Sequence, residues 1–261
     1  MRHLLFLVTL FCALTVPLTP ATQGAFYGDI PTGFLELEKK YPYYLYVPPD
    51  YSPERVWPLI FLVGKRGEDP RKVITPWLDW ARQNEFLVAA VPNLSPEKDI
   101  PKKADEWLLE VKQEILERFR VDTARTLLVG LDAGAHYAAY LGTNYPKEFS
   151  AAALVRDGWA GSFEKIIRSS PNPRERISFF VALDLGAENF PAQEARALEF
   201  ERKGYAVRLE PLKAGEDLSG VRERMIQWFL ADVESRTLLR EKPRHTRKER
   251  LKGVIKDFFE V

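Results

Sequence analysis

Asp132 stands at the centre of a G-x-D-x-G frame, Gly130-Leu131-Asp132-Ala133-Gly134. An aliphatic run, Thr126 to Val129, precedes it, and the small residues Ala135, Ala138 and Ala139 follow. Glycines on both sides of one residue let the backbone fold tightly around it. The pattern therefore predicts a strand, a sharp turn and a closely packed helix, with the central side chain exposed above the end of the strand. This is the frame of a nucleophile elbow, whose usual centre is serine. A carboxylate there can attack carbon and form an ester intermediate, provided a general base, usually His, activates the hydrolytic water. It can equally serve the turn alone, because Asp tolerates unusual backbone angles and accepts from the N–H groups that follow.

Few other side chains offer chemistry. The histidines are His3, His136 and His245, and the single cysteine is Cys12, which argues against a His-rich metal site, a cysteine metal site or a disulfide. No cofactor is implied. The formal charge of +1 argues against nucleic acid as the partner of the whole chain.

The elements that must carry Asp132 follow from hydrophobic spacing. Phe34 to Glu38 and Tyr43 to Val47 read as an antiparallel hairpin at a sheet edge. Trp57 to Gly64 is a continuous apolar run, as expected of a strand covered on both faces, and Gly64 and Gly67 close it in a loop. Trp77, Leu78 and Ala81 lie at helical spacing, and Phe86 to Val91 is the next buried strand. Ala104, Trp107, Leu108, Val111, Ile115 and Phe119 recur three and four apart and predict an amphipathic helix. Beyond the elbow, Ala151 to Val155, Ile177 to Leu183 and Ala206 to Leu212 predict strands, Ala192 to Arg202 a helix, and Val221, Met225, Trp228 and Phe229 a closing helix. Strands alternating with helices predict an α/β fold: a mostly parallel, doubly wound sheet with an N-terminal antiparallel edge hairpin and no large lid. With 261 residues and 46% apolar content, one large domain spanning 25–235 is expected.

The two ends differ from this body. In residues 1–24 a short charged start, Arg2 and His3, leads into the apolar run Leu4 to Val16, and Pro17 and Pro20 end it. This is the pattern of a secretory signal, and the run is shorter than the roughly 20 residues that span a bilayer. A secreted or periplasmic protein, not transmembrane once the signal is removed, is the expectation. Residues 236–261 carry nine Lys or Arg against four acids. Such a tail either meets an anionic partner or is a solvated or loosely docked terminal helix, with Leu251, Ile255, Phe258 and Phe259 packing on the body.

Taken together, Tyr44-Leu45-Tyr46-Val47-Pro48-Pro49-Asp50-Tyr51 leading into Trp57 to Gly64, and the elbow with its small-residue helix, resemble the α/β-hydrolase superfamily. The likeness is to secreted esterases of the polyhydroxybutyrate-depolymerase and feruloyl-esterase kind, and it covers Phe34 to about Val233. The resemblance implies a serine nucleophile, an acid and a histidine in chain order, with backbone N–H donors near the elbow. Asp132 stands at the serine position. The acid position falls on Asn189, within Leu185 to Asn189, and its neighbour Glu188 substitutes only if the loop turns differently. The histidine position falls on Glu216 or Asp217. The oxyanion loop reads Val63-Gly64, with the N–H groups near Lys65 and Ala133 as the donors that side-chain changes leave intact. His136, within the first turns of the elbow helix, is expected to be a hydrogen-bonded packing residue, and His245 lies in the tail.

All three triad positions are thus replaced, and nucleophile and base act as a unit. Several acids near one pocket also raise a carboxyl pKa rather than sharpen a nucleophile. The expectation is an esterase-like protein that is non-catalytic and keeps a cleft for a small molecule or polymer fragment. Two alternatives stand beside it: an active hydrolase with Asp132 as nucleophile, and an interaction protein acting through its basic tail.

Overall fold

The computed structural model describes residues 43–94, 102–159, 176–213 and 215–241. Seven strands form one sheet in the order β1-β3-β2-β4-β5-β6-β7: β1 (Tyr44–Tyr46), β2 (Trp57–Arg66), β3 (Leu87–Asn93), β4 (Val121–Leu131), β5 (Ala151–Val155), β6 (Ser178–Asp184) and β7 (Val207–Leu212). All neighbours are parallel except β1, which pairs antiparallel with β3 at the edge. The helices are α1 (Pro70–Ile74), α2 (Leu78–Asn84), α3 (Lys102–Arg118), α4 (Gly134–Asn144), α5 (Phe190–Arg202) and α6 (Leu218–Glu241), with a 3₁₀ turn at Thr75–Trp77.

The central strands are buried on both faces, so their side chains alternate between two apolar layers. From β2, Leu59, Phe61 and Val63 point into the layer shared with α3, α4 and α5. Ile60 and Leu62 point into the layer shared with α1, α2 and α6. A fully buried Leu, Ile, Val or Phe contributes about 1.5–3 kcal/mol relative to its exposed state, so a shift of one residue in β2 would exchange every one of these contacts.

The helix that carries the elbow is fixed from below by a polar clamp. Asp105 of α3, fully buried, accepts hydrogen bonds from Tyr137 at 2.7 Å, Tyr140 at 2.7 Å and Tyr145 at 2.9 Å. Burial raises the Asp105 carboxyl above its ordinary range, against the pull of the three phenols. Burial also raises the phenols, with Tyr145 pushed up to about 12. A buried carboxylate persists only when its lone pairs are answered, and three donors on one side lock α4 to α3.

The parallel sheet with one antiparallel edge strand is the architecture expected, and each anticipated strand from Trp57 onward is present. The first arm of the edge hairpin, the signal segment and residues 242–261 lie outside the described residues. The glycine loop after β2 is shorter than anticipated because β2 runs past Gly64 to Arg66; Pro70 then opens α1 with Asp69 as its cap, accepting from Arg71 N at 2.9 Å. The closing helix runs past Arg236 to Glu241, and Arg236 pairs with Asp232 at 2.5 Å and donates to the Ser150 carbonyl at 2.7 Å. Among the described residues, no helix is long and apolar enough to cross a membrane.

Candidate functional site

The carboxyl ends of β2, β4, β5 and β6 lie along one edge of the sheet, the side on which parallel sheets place their sites. Asp132 tops β4 with φ +49, in the left-handed region. Its N–H donates to the Val155 carbonyl at 2.9 Å, and its own carbonyl accepts from Ala135 N at 2.9 Å. The flanking glycines are required by close backbone approach. A Cβ on Gly134 would lie 2.3 Å from the Val63 oxygen and 2.5 Å from that of Gly64, and one on Gly130 would lie 2.6 Å from the Ala135 Cα. Backbone contact between the end of β2 and the first turn of α4 therefore shapes the elbow, and Asp132 is held in its strained conformation from both sides.

The Asp132 carboxylate lies 3.4 Å from the Lys65 ammonium and is about 35% exposed. So long and solvated a pair is worth at most about 1 kcal/mol, but it sets a cation beside the residue that would be the nucleophile. The Lys65 N–H, expected as an oxyanion donor, instead donates to the Glu68 carboxylate at 2.9 Å. That carboxylate fills the space over Gly64, where an added Cβ would meet it at 2.6 Å. An oxyanion hole acts through donors aimed at an empty position where charge develops. Here an internal carboxylate occupies one of those donors. Ala133, the residue before α4, has a helical backbone and no side-chain cap.

His136, on the first turn of α4, is turned into a separate network. Its Nε2 lies 2.8 Å from Asp157 Oδ2, and its Nδ1 lies 2.9 Å from the Gly158 carbonyl oxygen. Both ring nitrogens therefore lie against groups of this network, the Asp157 carboxylate and the Gly158 carbonyl, and not against Asp132. Asp157 Oδ1 accepts from Gly158 N at 2.9 Å, from Asn189 at 3.2 Å and from the buried Gln193 at 3.2 Å. The Gln193 oxygen in turn accepts from Trp159 N at 3.0 Å. Asn189, at the expected acid position, thus reaches His136 through Asp157 and makes no bond to Asp132, while Glu188 is exposed beside it.

At the expected histidine position, the acids serve the start of α6. Asp217 accepts from the Ser219 N–H, the Ser219 hydroxyl and the Gly220 N–H, capping the helix. The Ser219 hydroxyl bond is the main cause holding its carboxyl below the usual range. Glu216 pairs with Arg224 at 2.6 Å and accepts from Lys213 N at 3.1 Å, and the Arg224 guanidinium holds its carboxyl low. His245 lies outside the described residues.

Beside the elbow lies a cavity of about 160 Å³, lined by Asp132, Glu68, Lys72 and Arg156 and by aliphatic side chains that include Val73, Leu131, Val155 and Val221. Among the described residues, no three His, Cys, Asp or Glu side chains are grouped to hold a metal ion. Glu68, Arg156 and Asp157 were not anticipated as site residues. Their one local signal is position: Arg156-Asp157-Gly158 directly follows the buried strand Ala151–Val155, at a strand's carboxyl end.

No protein-family model and no curated protein matches the sequence. Solved structures do match. A ferulic acid esterase shares 13% identity at a TM-score of 0.58, over 77% of this chain and 96% of that one. The Bacillus cereus carboxylesterase shares 15% identity at a TM-score of 0.55, over 75% and 96%. A thermostable esterase shares 20% identity at a TM-score of 0.55 over 73% of this chain, which spans only 58% of that protein's length. With the strand order, the antiparallel edge strand and the elbow geometry, these likenesses show that the chain has the α/β-hydrolase fold.

Proposed function

We propose that this chain is a secreted α/β-hydrolase-fold protein that does not hydrolyse esters and uses the cavity at its elbow to bind a ligand. The observation that carries the reading is the separation of the proton-handling groups. Asp132 faces Lys65, while the one histidine among the described residues has both nitrogens committed to Asp157 and Gly158. An aspartyl ester formed at Asp132 would need a base to activate water for its breakdown; among the described residues no histidine lines the cavity, and its other carboxylate, Glu68, accepts from Lys65 N. The internal Glu68 bond to Lys65 N further removes a donor that would stabilise a tetrahedral oxyanion. Secretion follows from the signal-like first 24 residues and is part of the same proposal.

Assay of the purified mature chain on p-nitrophenyl acetate, p-nitrophenyl butyrate and methyl ferulate tests the reading, with the Asp132→Ala variant beside it. The expected rate is that of buffer for both proteins. Turnover that vanishes in the variant overturns it in favour of an enzyme built on Asp132.

A further inference from the structure

Arg156 is the residue that the elbow itself does not explain. It follows β5 with φ +68, a conformation that side chains rarely adopt and that clusters at functional positions. It adjoins the other strained residue of this edge, since Asp132 N bonds the carbonyl of Val155, the residue before it. Its guanidinium donates to the Glu216 carbonyl at 3.2 Å, a neutral acceptor that leaves its charge uncancelled. Lys72, exposed on α1, lines the same cavity.

The charges do not balance. Asp132 is answered by the Lys65 ammonium, and Glu68 by the Lys65 N–H. The lining itself carries Lys72 and Arg156 against Asp132 and Glu68, and Lys65, paired to Asp132 from outside the lining, offsets one of those carboxylates and leaves one positive charge in excess. The floor is aliphatic, with Val73, Val155 and Val221 each buried. A cavity near 150 Å³ with such walls holds a ligand of about six heavy atoms. A planar carboxylate matches the fork of a guanidinium, and a short branched or straight chain matches the floor. A phosphate would meet the charge and leave the aliphatic walls unmatched; a neutral alcohol would do the reverse.

We infer that the elbow cavity binds a short aliphatic monocarboxylate, its carboxylate on Arg156 and Lys72 and its chain against the valine floor. This rests on the reading of the elbow as a ligand-binding pocket and names the ligand class. Calorimetric titration of the whole chain with isovalerate in low-salt buffer tests it, beside isovaleramide, which has the same shape without the charge. Isovalerate is expected to bind at one saturable site, at least tenfold more tightly than the amide. Arg156→Met and Lys72→Met each weaken isovalerate severalfold and leave the amide unchanged, and Asp132→Asn tightens isovalerate by removing a nearby acid. Should Arg156→Met fail to fold, Lys72→Met on the exposed face of α1 carries the test. Equal binding of acid and amide, no saturable binding, or an affinity that ignores Lys72 and Arg156 overturns the inference. Ester hydrolysis by the same preparation would instead overturn the non-catalytic reading, leaving the carboxylate site to be decided by the titration.

Discussion

The His136 ring is bound to the Asp157 carboxylate at 2.8 Å through Nε2, four residues along the chain from an Asp132 that faces Lys65 instead. Two acid groups at one edge of the sheet therefore have different partners, and the histidine serves the one that is not on the elbow. Asp157 gathers donors from α4, from its own loop and from α5, so the network ties the elbow helix to the β6–α5 connection.

Asp157→Ala is expected to destabilise the fold by about 2 kcal/mol, because several partly buried donors lose their acceptor together. Asp157→Asn, which keeps one acceptor oxygen, should cost less. The midpoint of urea unfolding measures both, and equal, negligible shifts would show that the network is ornamental to stability.

Serine alone is not expected to revive the elbow. Asp132→Ser should hydrolyse p-nitrophenyl butyrate no faster than the parent, and so should Asp132→Ser combined with Glu68→Ala, which frees the Lys65 N–H. The hydroxyl gains no base in either case, and nucleophile and base act as a unit. A hundredfold rise in rate from the single change would show that some other group takes the proton.

Two glycines should respond differently to alanine. Gly134→Ala drives a methyl to 2.3 Å from a backbone oxygen of β2, where nothing flexible can yield, and should cost about 3 kcal/mol or more. Gly67→Ala meets open space but adopts φ +74, and should cost about 1 kcal/mol. Thermal unfolding of the two variants checks the order.

Asp105 sets a pH dependence of stated sign. Burial raises its folded carboxyl above the ordinary 3.8, so its contribution is fully present below 3.8 and is lost as pH rises through the raised value. Asp105→Asn removes the titration. The stability of the parent relative to this variant should therefore fall as pH climbs above 3.8 and then level off, as measured by urea midpoints across that range. A relative stability that rises over the same interval would reverse the assigned sign.

Much of the fold was legible because its signals are local. The buried run Trp57–Gly64, the three- and four-residue spacing of α3 and the glycine frame around Asp132 each lie within a few residues of one another. The Asp69 cap and Pro70 start of α1 are local too, but they closely follow Gly64 and Gly67, whose turn signal hides the short helix. The polar partners were not legible: Lys65 N and Glu68 are close in sequence, but only the path of the α1 loop turns that carboxylate back onto the donor.

The strand–helix alternation, the position of the elbow and the replacement of serine, acid and histidine at the places the resemblance assigns are all written in the order of residues along the chain. Tertiary structure alone decided that Asn189 meets Asp157 across 32 positions, that His136 joins them, and that Arg156 turns into the cavity beside Asp132. Periodicity is written among neighbours along the chain, whereas the partner of a charged group depends on strand order and register, which bring distant segments to one edge of the sheet.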